Sequence, residues 1–263
     1  MNARAATALS APPADRILDI LSVPVTDMTM GEALEFLESL FTTHAASSHS
    51  VFFVNAHTLN VACDEPAYRD VLRGAHCVYG DGTGVRWAAR LIHGARLRDN
   101  VNGTDLVPAL FKTRAGRGFR YFLLGNTPER IERAAAFARR EFPGWELAGH
   151  HHGYLDAQTT PAAVDLINAA RPHVLLVGMG NPLQEQWIAR NLPRLQVPVC
   201  MGTGGLFDYW SGDLVRAPRW MRAVGYEWLH LLLRQPHKAR RYLIGNPLFL
   251  WRALRARFAR EQA

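Results

Sequence analysis

Apolar and polar positions along the chain alternate between short hydrophobic runs and longer segments with helical spacing. The runs "SVFFVNA" (50–56), "HCVYGD" (76–81), "FRYFLLG" (119–125), "HVLLVGMG" (173–180) and "VPVCMG" (197–202) predict strands, and "WELAGHHHGY" (145–154) predicts a less regular one. Helical segments follow them: "HTLNVACDEPAYRDVLRGA", "GTGVRWAARLI", "NTPERIERAAAFARREF" and "PLQEQWIARNL". In the third, Thr127 is placed as an N-cap and Pro128 at the first helical position; in the fourth, Pro182 starts the helix. The strand runs are apolar almost throughout. Such strands are buried on both faces, and strands alternating with helices form a parallel, layered sheet. The predicted class is therefore α/β and Rossmann-like: a largely parallel sheet flanked by helices.

Ligands of such sheets lie outside the carboxyl ends of the strands. Four polar or Gly-rich clusters fall there: "NAHTLN", "GDGTG", "GMGNPLQE" and "GTGGLFD". In a parallel sheet all of them open toward one edge.

The composition changes near residue 210. The whole chain carries a formal charge of +7, yet residues 216–263 hold eleven Lys or Arg against two Glu. The body is close to neutral and the tail is strongly basic, so the tail seeks phosphate on a lipid, a nucleic acid or a substrate. The division expected is a disordered leader (1–15), an α/β core (16–210) and a basic helical appendage (211–263). No apolar run reaches the roughly 18 residues of a spanning helix. Cys63, Cys77 and Cys200 are scattered without a CxxC pair, which fits a reducing, cytoplasmic setting rather than a disulfide framework.

Asp81 is the candidate catalytic residue. It stands between Gly80 and Gly82, where bare backbone lets a substrate approach, and its carboxylate could take a proton from an attacking hydroxyl. A turn Asp capping the next helix would look the same. "GMGNPLQEQW" puts Gly180 before a helix start whose N–H groups could hold a phosphate or a sugar hydroxyl, with Gln184 and Glu185 in the first turn. Glu is also favoured there by the helix dipole alone. The stretch lacks the third glycine of GxGxxG, so a dinucleotide fingerprint is missing. Asn55 and Thr58 offer short neutral hydrogen bonds suited to a sugar or uracil, or they form an Asx-type turn. "HHH" (150–152) could suggest a metal, but consecutive histidines cannot all face one ion. No Asp-x-Asp occurs, so no metal clamp on a diphosphate is supported.

In the tail, Leu250, Leu254 and Phe258 step by four with Trp251 beside them. Arg252, Arg255 and Arg260 lie away from that stripe, and Arg257 at its edge. This is the pattern of a helix lying on an anionic membrane. A helix packed on its own domain with a solvated basic face reads alike. No nucleic-acid module is recognised.

Together, "VPVTDMTMGEAL", "VNAHTLNVA", "YGDGTGV", "NGTDLVPAL", "YFLLGNTPE", "VGMGNPLQEQWI", "GTGGLFDYWSGDLVRAPRWM" and "YEWLHLLLRQP…RRY" resemble the WecG/TagA/CpsF family of bacterial glycosyltransferases, over roughly residues 20–245. The resemblance implies an inverting, metal-independent enzyme without a resident cofactor. It would move N-acetylmannosamine, its uronic acid or glucose from a UDP-sugar to an undecaprenyl-diphosphate-linked sugar during exopolysaccharide or cell-envelope synthesis. It implies an appendage docked on the cytoplasmic face of the membrane, and leaves room for a homo-oligomer. Asp81 matches the family's general base. Asn55, Thr58 and Gln184 match substrate-pocket residues, joined here by Gly82, Asn100, Asn102, Gly180 and Glu185. Lys238 and Arg241 match cations that reach the diphosphate, Lys238 replacing an Arg and so losing the bidentate fork. Two positions depart: Asn100 stands where the family has an Arg before Val-x-Gly, with Arg98 two residues earlier, and Leu231 replaces another appendage Arg. The rival readings are a nucleotide-binding oxidoreductase, which needs the missing fingerprint, and a non-catalytic membrane or nucleic-acid binding module, which leaves the polar strand ends unexplained.

Overall fold

The computed structural model describes residues 11–42, 48–218, 221, 229–230, 232 and 239–261. The chain opens with a hairpin, β1 (Ile17–Ile20) and β2 (Val23–Thr26), followed by α1 (Met30–Thr42). The hairpin turns through Leu21 and Ser22, both at positive φ (55° and 66°), in the primed-turn manner that suits strand twist. A capping box starts α1: Thr29 Oγ1 accepts from the Glu32 N–H while Glu32 Oε2 accepts from the Thr29 N–H.

Strand and helix then alternate. They run β3 (His49–Val54), α2 (Ala56–Asp64), α3 (Pro66–Arg73), β4 (Cys77–Gly80), α4 (Thr83–His93), α5 (Gly103–Thr113), β5 (Arg120–Gly125), α6 (Pro128–Glu141), β6 (Glu146–His151), α7 (Thr160–Ala170), β7 (Val174–Gly178), α8 (Leu183–Asn191), β8 (Val199–Gly202) and α9 (Leu206–Trp210). Beyond the core come α10 (Ala239–Leu243) and α11 (Gly245–Glu261). The eight strands lie in the order β1-β2-β4-β3-β8-β7-β5-β6, and every pair except β1–β2 is parallel. The α/β, largely parallel class read from the pattern is the one observed, with a helical C-terminal part.

Three local readings change. The hairpin is an addition to the six expected strands. The long helix after β3 breaks at Pro66 into α2 and α3, because the proline has no N–H to continue the ladder. Pro182 is the N-cap of α8 and Leu183 its first residue.

Two apolar cores flank the sheet. One gathers residues of α1, α5, α6 and α9; the other gathers residues of α2, α3, α4, α7, α8 and α11. The adjacent strands β3 and β8 therefore send their chains to opposite faces, α2 to one and α9 to the other. So do β8 and β7, and β7 and β5. Chains that part in this way open a crevice at the carboxyl edge, the usual ligand position of a doubly wound sheet.

The appendage is tied to the core. Arg216 Nη2 pairs with Asp105 Oδ1 at 3.1 Å, and Ala217 is buried. α11 packs across α4 and α2 through Phe249 and Ala253, both buried. Residues 1–10 of the expected leader, Lys238 and Leu231 lie outside the described residues.

Candidate functional site

Asp81 follows β4 directly. Its backbone N–H donates to Val54 O at 2.7 Å, extending the β3–β4 ladder by one step and fixing the residue at the carboxyl edge. Gly80 is tightly packed: a Cβ there would meet Leu97 Cδ1 at 2.6 Å and force that side chain to shift. The N-cap position of α4 falls on Gly82, at φ 95°, and not on Asp81. The Gly82 N–H donates to Asn100 Oδ1 at 2.7 Å. The β4–α4 turn and the 98–102 loop are thus locked together, with Asp81 half-buried between them.

Arg98 does not enter this corner. Its guanidinium pairs with Glu32, whose carboxyl is held down to about 2 by the Thr29 N–H first and by Arg98 next. Asn102 is turned to helix capping: its Oδ1 accepts from the Asp105 N–H at 2.9 Å and the Thr104 hydroxyl at 2.6 Å.

Asn55 lies beside Asp81, because Val54 and Gly80 are register partners. Its Oδ1 accepts from the His57 and Thr58 N–H groups, and the Thr58 hydroxyl both accepts from the Asn55 N–H and donates to its carbonyl. The Asx-turn geometry is therefore realised as a full capping box, and Thr58 is buried within it. Asn55 Oδ1 also accepts from Arg241 Nη2 at 3.3 Å, which brings the appendage to the strand end.

A cavity of about 1220 Å³ occupies the other half of the same edge, at the ends of β5, β7 and β8. Gly180, at φ 82°, lines it together with Asn181 at the start of α8. Arg241 and His57 line its near side, so the cavity begins where the Asn55 corner ends. Asp81 is not among the lining residues. It stands on β4, with β3 between it and the cavity.

Gln184 and Glu185 lie under the cavity rather than in its wall. Gln184 is 1% exposed; its Nε2 donates to Glu185 Oε1 at 2.8 Å and its Oε1 accepts from the Gly204 N–H at 3.1 Å. Glu185 is fully buried, and its Oε1 also accepts from Asn181 Nδ2 at 2.5 Å. Burial pushes its carboxyl up to about 7 against the pull of these amides.

Among the lining residues that sequence reasoning passed over are Asn126, Arg130, Tyr154 and Asp208. Asn126 Nδ2 donates to Asp208 Oδ1 at 2.8 Å, joining the loops after β5 and β8 across the cleft. Arg130 Nη1 stands 3.8 Å from the same oxygen. Tyr154 is strongly exposed on the loop after β6. Asn126 and Asp208 sit within "YFLLGNTPE" and "GTGGLFD", and their position after buried strands was the signal available. In the "HHH" stretch, His150 pairs with Glu132 at 2.7 Å. Among the described residues, no group of three His, Cys, Asp or Glu side chains is placed to hold a metal ion.

A mostly parallel sheet whose polar and Gly-rich clusters gather at its carboxyl edge, around a wide crevice, defines an α/β protein of the Rossmann-like class. The chain belongs to the Glycosyl transferase WecG/TagA/CpsF family, matching it over residues 18–263, and it is a glycosyltransferase. It is 29% identical over 240 residues to the N-acetylglucosaminyldiphosphoundecaprenol N-acetyl-beta-D-mannosaminyltransferase of Staphylococcus aureus strain MW2, covering 91% of this chain and 93% of the relative. The protein of that name from strain NCTC 8325 / PS 47 matches with the same identity and coverage.

Proposed function

We propose that the enzyme transfers a hexosyl unit, N-acetylmannosamine first among the candidates, from a UDP-sugar to a sugar carried on undecaprenyl diphosphate. The observation that carries this reading is a cleft in two parts. A half-buried carboxylate stands at one end, a cavity large enough for a nucleotide sugar lies at the other, and Arg241 sits between them against Asn55. The activity named for the staphylococcal relatives supports both the donor sugar and the lipid-linked acceptor.

In this reading the nucleotide fills the cavity and its diphosphate lies toward Gly180 and the N-terminus of α8, whose dipole favours an anion. The acceptor hydroxyl enters at the β4 corner. As its oxygen bonds to the anomeric carbon, the bond from that carbon to the UDP oxygen breaks and the hydroxyl proton passes to Asp81. Attack from the face opposite the leaving group inverts the centre. Charge grows on the departing diphosphate, and Arg241, with Lys238 as its partner in the same role, would neutralise it in place of a metal ion. Stabilisation that grows only as the bond breaks raises turnover rather than ground-state binding alone.

The appendage belongs to this proposal as a membrane-docking unit on the cytoplasmic side. Among the described residues no helix is long and apolar enough to cross a membrane. Leu250, Trp251, Leu254 and Phe258 of α11 are all exposed, however, in the stripe expected of an interfacial helix. Two of its arginines serve the core instead: Arg252 pairs with Asp64 and Asn60 of α2, and Arg260 meets His93 of α4.

A donor screen tests the reading. UDP-N-acetylmannosamine, its uronic acid and UDP-glucose are offered with a lipid-linked N-acetylglucosamine acceptor, and products are read by mass spectrometry. Transfer of N-acetylmannosamine with inverted configuration is expected. Retained configuration would overturn the single-displacement chemistry, and transfer of another sugar alone would overturn the donor.

A further inference from the structure

Glu185 has no direct place in the chemistry above, yet it sits where the β7–α8 and β8–α9 loops meet the first turn of α8. Its Oε1 gathers Asn181 from the β7–α8 loop and Gln184 from α8, and Gln184 in turn holds the Gly204 N–H of the β8–α9 loop. Asn181, Gly180 and Gly204 all line the cavity. The pair rests on the bare end of β8, where a Cβ on Gly202 would come 3.0 Å from Gln184 Nε2 and 3.3 Å from Glu185 Oε1. The second oxygen, Oε2, and the Tyr68 hydroxyl of α3 are buried and face each other, and neither has a partner of ordinary hydrogen-bond geometry among the described residues.

We propose that Glu185 is a positioning residue for the donor diphosphate: a buried carboxylic acid whose protonated form holds the two loops together and admits the anion above them. The proposal rests on the diphosphate lying at the α8 N-terminus, as argued under the proposed function. The physical case is one of charge. A neutral acid in this place can donate from Oε2 toward the Tyr68 oxygen while Oε1 keeps both amides. An ionised one would keep those amides but put a buried negative charge under the loop that receives another.

Burial outweighs the donors that would steady that charge: Gln184, the backbone, Asn181 and the Tyr68 hydroxyl each pull the carboxyl down, and desolvation still raises it. Tyr68 is the titratable side chain facing Glu185 from α3, and burial drives its own hydroxyl well above the usual phenol range. Glu65, at the start of α3, adds a further negative charge beside Tyr68. The β7 and β8 loops present glycines and amides, and β3 packs apolar side chains against α8; its His49 is at the far end of the strand, against His76. The acid's ordinary value is raised to about 7 by burial, so the proton is lost within the physiological range. A bound diphosphate raises it further. Donor affinity is then full below that value and falls as pH rises through it.

The test uses the full-length protein and UDP as probe. UDP affinity is measured from pH 6 to 8.5 for the wild type and for Glu185→Gln, which keeps the shape and the accepting oxygen but cannot ionise. Titration of UDP itself cancels in the ratio of the two. Equal affinities at pH 6 are expected, with the variant on the order of tenfold tighter at pH 8.5, the ratio of one full unit of linkage. Parallel profiles, or a variant that no longer folds, would overturn the proposal. Infrared difference spectra of wild type minus Glu185→Gln supply a second reading without nucleotide: a protonated-carboxyl band at pH 6 that disappears by pH 8.5. A carboxyl already ionised at pH 6 sinks the proposal by itself. If the wild type binds no UDP at any pH, the donor reading fails while the infrared titration still judges Glu185.

Discussion

Phe249→Ala probes whether α11 is part of the catalytic unit or a separately attached anchor. Phe249 is 1% exposed, wedged where α11 crosses α2 and α4, with its ring 3.7 Å from the position a Cβ on Gly84 would take. Truncating a buried Phe costs about 3–5 kcal/mol in lost transfer energy and cavity. Of the polar ties that would remain, Arg252 to Asp64 and Arg260 to His93 involve exposed groups and hold about 1 kcal/mol or less each, while Arg252 and the Gly245 carbonyl also keep their bonds to Asn60. If α11 melts together with the core of this 263-residue chain, a loss of about 4 kcal/mol lowers Tm by about 7 °C. If α11 is an independently docked appendage, global Tm hardly moves. Instead, limited proteolysis cuts between α10 and α11, and Arg241 loses its place beside Asn55. The assay pairs calorimetry with proteolysis and transfer rate. The docked-appendage reading predicts a Tm change under about 2 °C, rapid cleavage, and transfer reduced at least tenfold with vesicle binding kept, because the outward stripe is untouched. Full transfer activity in a protein whose α11 is demonstrably released would refute the idea that the appendage completes the site.

Asp81→Asn should leave UDP affinity unchanged and cut transfer by about 10²–10⁴, the usual contribution of a general base; near wild-type turnover in a radiolabelled-sugar assay would remove the base from Asp81. Gly80→Ala should destabilise by about 1–3 kcal/mol through overpacking against Leu97 and Val85, read as a lower urea midpoint with unchanged slope; a neutral result would mean the β4–α4 turn can shift. Burial first, and His49 second, hold the His76 imidazole down at about 4, against an ordinary 6.5. Between those values the unfolded chain binds the proton that the folded one refuses, so stability falls as pH drops from about 6.5 toward 4. Denaturant titrations of His76→Phe should show a flatter acid limb than the wild type, and an identical limb would assign the acid sensitivity elsewhere. EDTA should leave transfer within about twofold of its untreated rate on the proposed metal-free chemistry; strong inhibition reversed by Mg²⁺ or Mn²⁺ would restore a metal to the mechanism.

The sheet was legible because its strands are apolar on both faces. "FRYFLLG" and "HVLLVGMG" could hardly be anything but buried parallel strands, and they pair as β5 and β7. The β1–β2 hairpin escaped because "ILDI" and "VPVT" are four residues each, at the sheet edge, with a proline inside one and a turn of Leu-Ser, which lacks the usual Asn-Gly signal. At the candidate site, position was easier to read than orientation. The spacing put Gln184 and Glu185 in the first turn of a helix at the right edge, but periodicity cannot say which face of that turn meets the cleft. Burial under the β8 end decided it, and that depends on Gly202, eighteen residues beyond Gln184 in sequence. Asn55 and Thr58 show the converse. Their local reading as a turn and their reading as a site are compatible, since the capping box fixes the carboxamide at the point where Arg241 arrives from 186 residues away.

On the proposed membrane docking, the two faces of α11 would connect surface binding to chemistry. Phe249 and Ala253 are spaced by four and buried; Leu250 and Leu254 follow each by one residue, about 100° further round the helix, and are exposed with Trp251 and Phe258. Docking on the core therefore fixes where the apolar stripe points. Leu250, Trp251, Leu254 and Phe258 are each about half covered already (42–55% exposed), so full insertion gains about half of the usual 1.5–3 kcal/mol per side chain, roughly 3–6 kcal/mol in all. That suffices for reversible adsorption and falls well short of permanent anchoring. Arg255, expected away from that stripe, is stacked over Trp251 at 5.7 Å instead, and there it would add attraction to anionic headgroups. A helix held this way can steady Arg241 without trapping the enzyme on one lipid. The energetics thus favour an enzyme that samples the surface, gains its full site when the core, α11 and a lipid-linked acceptor coincide, and leaves again. On this argument Trp251→Glu, which removes insertion energy without touching the buried face, should weaken vesicle binding by at least tenfold. It should also raise the apparent KM for a lipid-linked acceptor while leaving the KM for UDP-sugar unchanged. Equal rises in both would mean that the stripe serves the site directly, and no rise in either would detach the membrane from the mechanism.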